Sequence, residues 1–240
     1  MIFSLAGVAF IPSTIALALL REVGPKKPNI RKAESRDDGW FKPLQEDPLF
    51  RRFMACRILV GMVSLATPFY VVHATDVLNL SVAVVGSFVA AQQVAALAFG
   101  ALLGLLSERR GPIATIRCGS AIAVAGPLFA LLAHVADGGL LGRAYPVVYV
   151  ALAAYQSATM LGFYNYLLEI APDGVRPSYV GLGNTIMGVL TLAPTLGGWL
   201  LEATSYTVLF GVTAGFASLG TLIAFGLKPA PETTLEEGEQ

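Results

Sequence analysis

Seven unbroken apolar runs, at residues 2–20, 53–75, 82–106, 114–134, 145–170, 179–200 and 207–227, decide what this chain can fold into. Each is 19 to 26 residues long, and a helix rising about 1.5 Å per residue needs about 20 apolar residues to cross a hydrocarbon layer about 30 Å thick. In lipid a stranded backbone amide costs several kcal/mol, so an open spanning segment has to be helical. A β-barrel would show alternating strands of about ten residues instead, and no such alternation occurs. The composition agrees: 55% of residues are hydrophobic and 13% charged, about half the charge of a soluble domain. An ordinary water-soluble enzyme is excluded. The first run carries no positive leader and no small-residue cleavage site, and so reads as a retained span.

The charges orient these spans. If the segment 21–52 is cytoplasmic, so are the turns 107–113 and 171–178 and the tail from Lys228, and only Arg143 of the 16 Lys and Arg residues lies outside. The positive-inside rule selects that arrangement, with the N-terminus outside and the C-terminus in the cytoplasm. The segment 21–52 holds nine basic residues, six acidic ones and prolines at 25, 28, 43 and 48, the composition of a central linker. Residues 228–240 form an acidic tail with no apolar pattern. The expected organisation is a helix at 1–20, the linker at 21–52, a six-helix bundle at 53–227 and the tail.

Polar groups are expensive inside a membrane, so their placement is the best functional signal in the chain. Apart from Ser and Thr, the span interiors hold Arg57 in the second, Gln92 and Gln93 in the third, Gln156 and Asn165 in the fifth and Asn184 in the sixth. The first, fourth and seventh spans have none. Two polar-bearing helices followed by an apolar one, repeated in opposite membrane sense, is the pattern of inverted repeats in secondary transporters, whose solute sites lie near the midplane. The expected fold is therefore all-α and polytopic: two inverted three-helix repeats plus one extra N-terminal helix. Helix-to-helix hydrogen bonding is the plainer role for any one of these amides. On an ideal wheel of the fifth span, Tyr155, Gln156, Thr159, Gly162, Asn165, Tyr166 and Glu169 share one half, with Leu161, Tyr164 and Leu168 opposite. In the third span Gly86, Gln93, Gly100 and Gly104 fall on one line, which reads as close helix packing.

The turn from Gly104 to Gly111, with Glu108, Arg109 and Arg110 inside it, resembles the G-x-x-x-D/E-R-x-G loop of the major facilitator superfamily. Pro112 and Ile113 stand where that loop has basic residues, as in the degenerate copy of the family's second half. Glu169 to Pro172 followed by Arg176 is similar to the acid and base around the family's loop between helices ten and eleven. Pro194, Gly197 and Gly198, with Glu202, Tyr206 and Phe210 beyond, resemble its Pro-x-x-Gly-Gly stretch. The resemblance covers nearly the whole chain, with 2–20 as the sixth helix, 21–52 as the linker and 53–227 as helices seven to twelve. It implies a solute transporter of the plasma (cell inner) membrane that works by alternating access, and about five further helices supplied by an N-terminal half. It also implies a solute cavity lined by Gln92, Gln93, Tyr155, Gln156, Thr159, Asn165, Tyr166 and Asn184. The inner gate it implies comprises Arg57, Glu108, Arg109, Arg110, Gly111, Glu169 and Arg176, and Pro194, Gly197 and Gly198 bend and pack their helix.

Arg57 lies five residues into its expected span, close enough to snorkel to the inner headgroups; a gate or a contact to an anionic solute is the alternative. His73 lies near the outer end on the face opposite Arg57, where it reads as interfacial filler, or as a proton relay. No carboxylate lies at mid-membrane depth, so proton coupling would fall to an acid of the N-terminal half or, in this chain, to His73 or Asp76 near the outside. Two cysteines and two histidines support neither a disulfide framework nor a zinc site. The zero net charge gives no footing for nucleic acid, and no H-E-x-x-H or G-x-S-x-G motif suggests an enzyme. No cofactor is expected. A non-transporting membrane module that binds a partner protein or lipid is the alternative to a transporter.

Overall fold

The computed structural model describes residues 41–136, 139–172 and 174–229, so the expected span 2–20, most of the linker and the tail beyond Pro229 lie outside it. Asp47 opens the first long helix: its Oδ1 accepts from the amides of Leu49 and Phe50 at 2.8 and 3.0 Å, and Pro48 takes the first helical position. This is the Asp-then-Pro start that a helix N-terminus favours. Helix α1 (Lys42–Glu46) precedes it, and α2 (Pro48–Gly61) runs on through a 3-10 turn (Met62–Leu65), α3 (Phe69–Val72) and a π-turn (His73–Val77). The second span therefore begins at Pro48 rather than 53. The end of the expected linker is helical, because a sound cap outweighs the charge of Arg51 and Arg52.

Helix α4 (Val82–Val135) is 54 residues long, about 80 Å if straight and far more than a bilayer can hold. It does not run straight. Gly111 has φ +77° and ψ 169°, a left-handed conformation that glycine alone adopts freely. Thr115 Oγ1 reaches back to donate to the Leu103 carbonyl at 3.3 Å, which folds the two arms against each other as the expected third and fourth spans. The remaining elements are α5 (Gly139–Arg143), α6 (Pro146–Ala158), a π-turn (Thr159–Tyr164), α7 (Asn165–Ile170), α8 (Arg176–Leu190), α9 (Ala193–Ala203) and α10 (Tyr206–Phe225). Among the described residues, five continuous helical stretches are long and apolar enough to cross a membrane: Pro48–Val77, Ala83–Val135, Pro146–Ile170, Arg176–Ala203 and Tyr206–Phe225. All the described elements are helical, and large apolar side chains such as Leu97, Trp199 and Leu222 are exposed. Such an apolar exterior is suited to lipid. This is a polytopic helical membrane protein.

Two cores fill the bundle, one toward each end. Near the end that carries Arg51, Arg52, Arg109, Arg110 and Arg176, here the basic end, Phe50, Phe53, Ile116, Phe163, Tyr166, Leu167 and Tyr179 pack together. Toward the far end Tyr70, Phe88, Tyr145, Tyr149 and Phe210 form a second cluster, with Tyr70 and Phe210 stacked at 5.6 Å. Close backbone approaches hold the helices. A Cβ on Gly220 would come 2.7 Å from the Val60 amide nitrogen, and one on Gly162 would come 3.0 Å from Ile116. Gly197 meets the Leu65 backbone just as closely, and the Phe69 ring covers Gly198. Pro194 sits at the start of α9, where the sixth span breaks after Leu190. The glycine line expected to pack in the third span does not: nothing described comes within 4 Å of a Cβ on Gly86 or Gly100.

Candidate functional site

The fifth span crosses the bundle as α6, a π-turn and α7, and that turn changes which residues share a face. A π-turn takes one extra residue per turn, so everything after Tyr164 is rotated by about 100° from an ideal helical wheel. Tyr166 accordingly lies in the core beside Phe53, their rings 5.4 Å apart, and its hydroxyl donates to the Lys228 carbonyl at 2.6 Å. It is buried rather than on an open face, unlike the place in a solute cavity that the family resemblance implies. Tyr164, expected to face the other way, is 38% exposed. Gly162 is buried against Ile116.

The structure brings some of the candidate cavity residues together. Gln92 Nε2, on the first arm of α4, donates to Gln156 Oε1 on α6 at 3.3 Å. Each lies ten residues from the first residue of its helix, about 15 Å along a span. Thr159 Oγ1 donates to the Tyr155 carbonyl at 3.0 Å and Asn165 Nδ2 to the Leu161 carbonyl at 3.0 Å. The Leu161 carbonyl, inside the π-turn, also accepts from Ser107 Oγ of the first α4 arm at 3.2 Å. Gln156, Asn165 and Asn184 are exposed on the bundle surface, and so is Gln93, which makes no hydrogen bond with Gln156.

Arg57 is buried, 8% exposed, among the helices rather than directed to headgroups. It lies nine residues beyond Pro48, about 14 Å into the helix and deeper than the sequence reading placed it. Its Cζ stands 6.0 Å from the Phe53 ring, with Tyr155 and Tyr164 in electrostatic reach. No acidic side chain of the expected gate joins it. Glu108, Arg109, Arg110 and Glu169 are exposed, and among the described residues no ion pair links any of them; Lys42 and Glu46 pair at 4.0 Å. Arg176 is exposed at the first turn of α8, and Gly111 makes the turn between the α4 arms.

Three features were not singled out from the sequence. Arg117 donates from Nε to the Ala224 carbonyl at 3.2 Å and from Nη2 to the Phe225 and Leu227 carbonyls, both at 3.0 Å. It satisfies the carbonyls that the end of α10 would leave without partners. Asp47 Oδ2 accepts from the Tyr179 hydroxyl at 3.1 Å, tying α2 to α8, and the Asp47-Pro48 pair was the readable signal for it. At the far end the chain's two histidines meet: His73 Nδ1 lies 3.0 Å from the Tyr145 hydroxyl and its Nε2 lies 3.2 Å from Nδ1 of His134. His73 is fully buried, which corrects its reading as interfacial filler.

This is a helical bundle with amides bonded across two spans, each about 15 Å along its helix, and a basic turn at one end. The family model of the Major Facilitator Superfamily matches the chain over residues 1–191 and again over 53–240. No curated protein and no solved structure matches it. The two matched ranges together take in the whole sequence, and the chain belongs to the Major Facilitator Superfamily, a family of membrane transporters.

Proposed function

We propose that the chain forms the C-terminal bundle of a secondary active transporter, which moves a small solute across the plasma membrane by alternating access against a second bundle of about five helices. The solute site is the face bearing Gln92, Tyr155, Gln156, Thr159, Asn165 and Asn184, with Gln93 beside it. The observation that carries this reading is the bond between Gln92 and Gln156. Both amides sit about 15 Å along their spans, half of a hydrocarbon layer of about 30 Å, where transporters of this kind bind their solutes. The turn at Glu108, Arg109, Arg110 and Gly111, with Glu169 and Arg176 from the neighbouring turn, closes the cytoplasmic side when the protein faces outward. Among the described residues no ion pair links Glu108, Arg109, Arg110 and Glu169 in this conformation, which leaves these four side chains available to pair across to a second bundle.

Uptake into membrane vesicles is the test. A panel of labelled small solutes is offered to vesicles from cells expressing the protein with its native partners. Accumulation above control vesicles is expected for at least one class, and Gln156→Leu should reduce it at least tenfold at equal protein level. Charge reversal at Glu108 should trap the transporter in one orientation and slow exchange. Uptake that Gln156→Leu leaves unchanged would reduce the amide pair to helix glue and remove the site.

A further inference from the structure

The bundle holds one buried charge whose donors are unmet. Arg57 Nε and Nη1 are both shielded from solvent and donate to nothing, although the side chain is 8% exposed. Its surroundings supply no anion. Tyr155 and Tyr164 are the titratable groups in electrostatic reach, the Phe53 ring lies to one side, and the point where a Cβ on Gly183 would stand is 3.9 Å from Nη1. Tyr70, Tyr149 and Ser120 also carry buried hydroxyls without partners, but those are neutral; Arg57 is the charged case among the described residues. A guanidinium cannot shed its proton to escape such a site, and a buried charge without a partner is among the most costly features a membrane bundle can keep. Something other than the described chain has to balance it.

We propose that a small oxyanion balances it: Arg57 is the charge-recognising residue of the solute site, and the solute carries a carboxylate or a phosphate. This rests on the transport reading above and adds the substrate class to it. A planar guanidinium with open donors is the side chain best matched to a two-oxygen anion. Tyr155 and Tyr164 offer hydroxyls to the remaining oxygens, and Tyr155 precedes Gln156 in the chain, about 100° from it around the helix. Gly183 of α8 places no side chain against Nη1. A lipid headgroup shares this chemistry, but the exposed Arg51 and Arg52 one to two turns nearer the basic end are the residues placed for headgroups.

The experiment measures melting of the full chain, purified in dodecyl maltoside with any membrane subunit that accompanies it. Sodium benzoate, sodium succinate and sodium phosphate are each compared with equal chloride, and uncharged benzamide serves as the neutral probe. At least one anion should raise the melting temperature saturably, and benzamide should not. Arg57→Gln should abolish the response or raise the half-saturating concentration at least tenfold, while Arg57→Lys keeps part of it. Arg57→Met, with no anion present, should melt at or above the wild type, since it removes an unmet charge. The proposal is overturned if no anion stabilises the wild type beyond chloride, if Arg57→Gln responds as the wild type does, or if Arg57→Met melts several degrees lower without anion. Nanodiscs with and without phosphatidylglycerol form the lipid arm, and stabilisation through Arg57 by that lipid with none from the three small anions would overturn the solute assignment. Vesicle uptake separates the two levels. Binding through Arg57 with no uptake of the bound anion supports the anion site and sinks transport, whereas uptake of neutral solutes with no anion response sinks the anion site alone.

Discussion

Arg57 and Arg117 are the same side chain in the same bundle, and their surroundings differ in one respect. Arg117 reaches three backbone carbonyls at the end of α10, and its Cζ also lies 5.8 Å from the Phe225 ring. Arg57 reaches an aromatic ring and no acceptor. A cation at a helix C-terminus stabilises through the exposed carbonyls and the aligned peptide dipoles, so Arg117 has a sufficient reason to be there in the fold itself. Arg57 has none, and its reason has to be sought in a ligand. The buried His73 sides with Arg117. Its Nδ1 is within hydrogen-bond reach of the Tyr145 hydroxyl and its Nε2 within reach of His134 Nδ1, with Tyr206 and Phe210 rings packed around it at 5.0 and 5.1 Å. In a membrane bundle, then, a buried polar side chain declares its role by whether its own fold satisfies it.

That contrast makes predictions of opposite sign. The largest loss of stability is expected for His73→Leu, which removes two hydrogen bonds and strands the buried Tyr145 hydroxyl, at a cost of about 2–3 kcal/mol. Thermal melting in detergent should fall by several degrees while the folded fraction still transports; a variant as stable as the wild type would show that the histidine pair carries no structural load. Arg117→Met should cost less, about 1–2 kcal/mol, because the site is partly exposed and solvent can replace some of the lost bonds. Hydrogen exchange at the last turn of α10 would report it, and unchanged protection there would separate Arg117 from that helix end. Tyr145→Phe removes one bond to His73 and should cost about 1 kcal/mol, read as a smaller melting shift than His73→Leu. All three should destabilise, whereas Arg57→Met should not.

How much of this could be read in the sequence follows from which physics is local. The spans are local, since a run of 19 to 26 apolar residues declares itself, and so is the break at Gly111, whose φ of +77° suits glycine. The start of α2 lies in Asp47 and Pro48, ahead of the apolar run that opens at 53, so counting from that run puts Arg57 nearer the surface than the helix does. The π-turn at Thr159–Tyr164 has no periodic signature, and it moved Tyr166 off the expected polar face and into the core. The histidines are 61 residues apart and meet through the topology alone. Arg117 was not singled out, because nothing in the residues around it announces the end of α10, 107 residues away. The glycine line of the third span followed the right rule on a face where the described chain packs nothing, while the close approaches at Gly162, Gly197 and Gly220 occur at single glycines.

The smallest stability effect is expected where the functional effect should be large. Gln92 donates to Gln156 across two spans, and interhelical hydrogen bonds of this kind average about 0.6 kcal/mol in membranes. Gln92→Leu and Gln156→Leu should therefore shift melting little, singly or together, and the double variant should add almost nothing beyond the larger single change, since either one already removes the bond. Uptake should respond differently. If both amides also touch the solute, each single variant weakens uptake and the double variant loses more than either, because two contacts go rather than one. Glue predicts the converse, with melting effects that mirror the lost bond and uptake per folded molecule that stays level in all three variants. Measuring melting and vesicle uptake on the same four proteins thus decides whether this pair belongs with His73 and Arg117, whose partners lie within the fold, or with Arg57, whose partner comes from outside it.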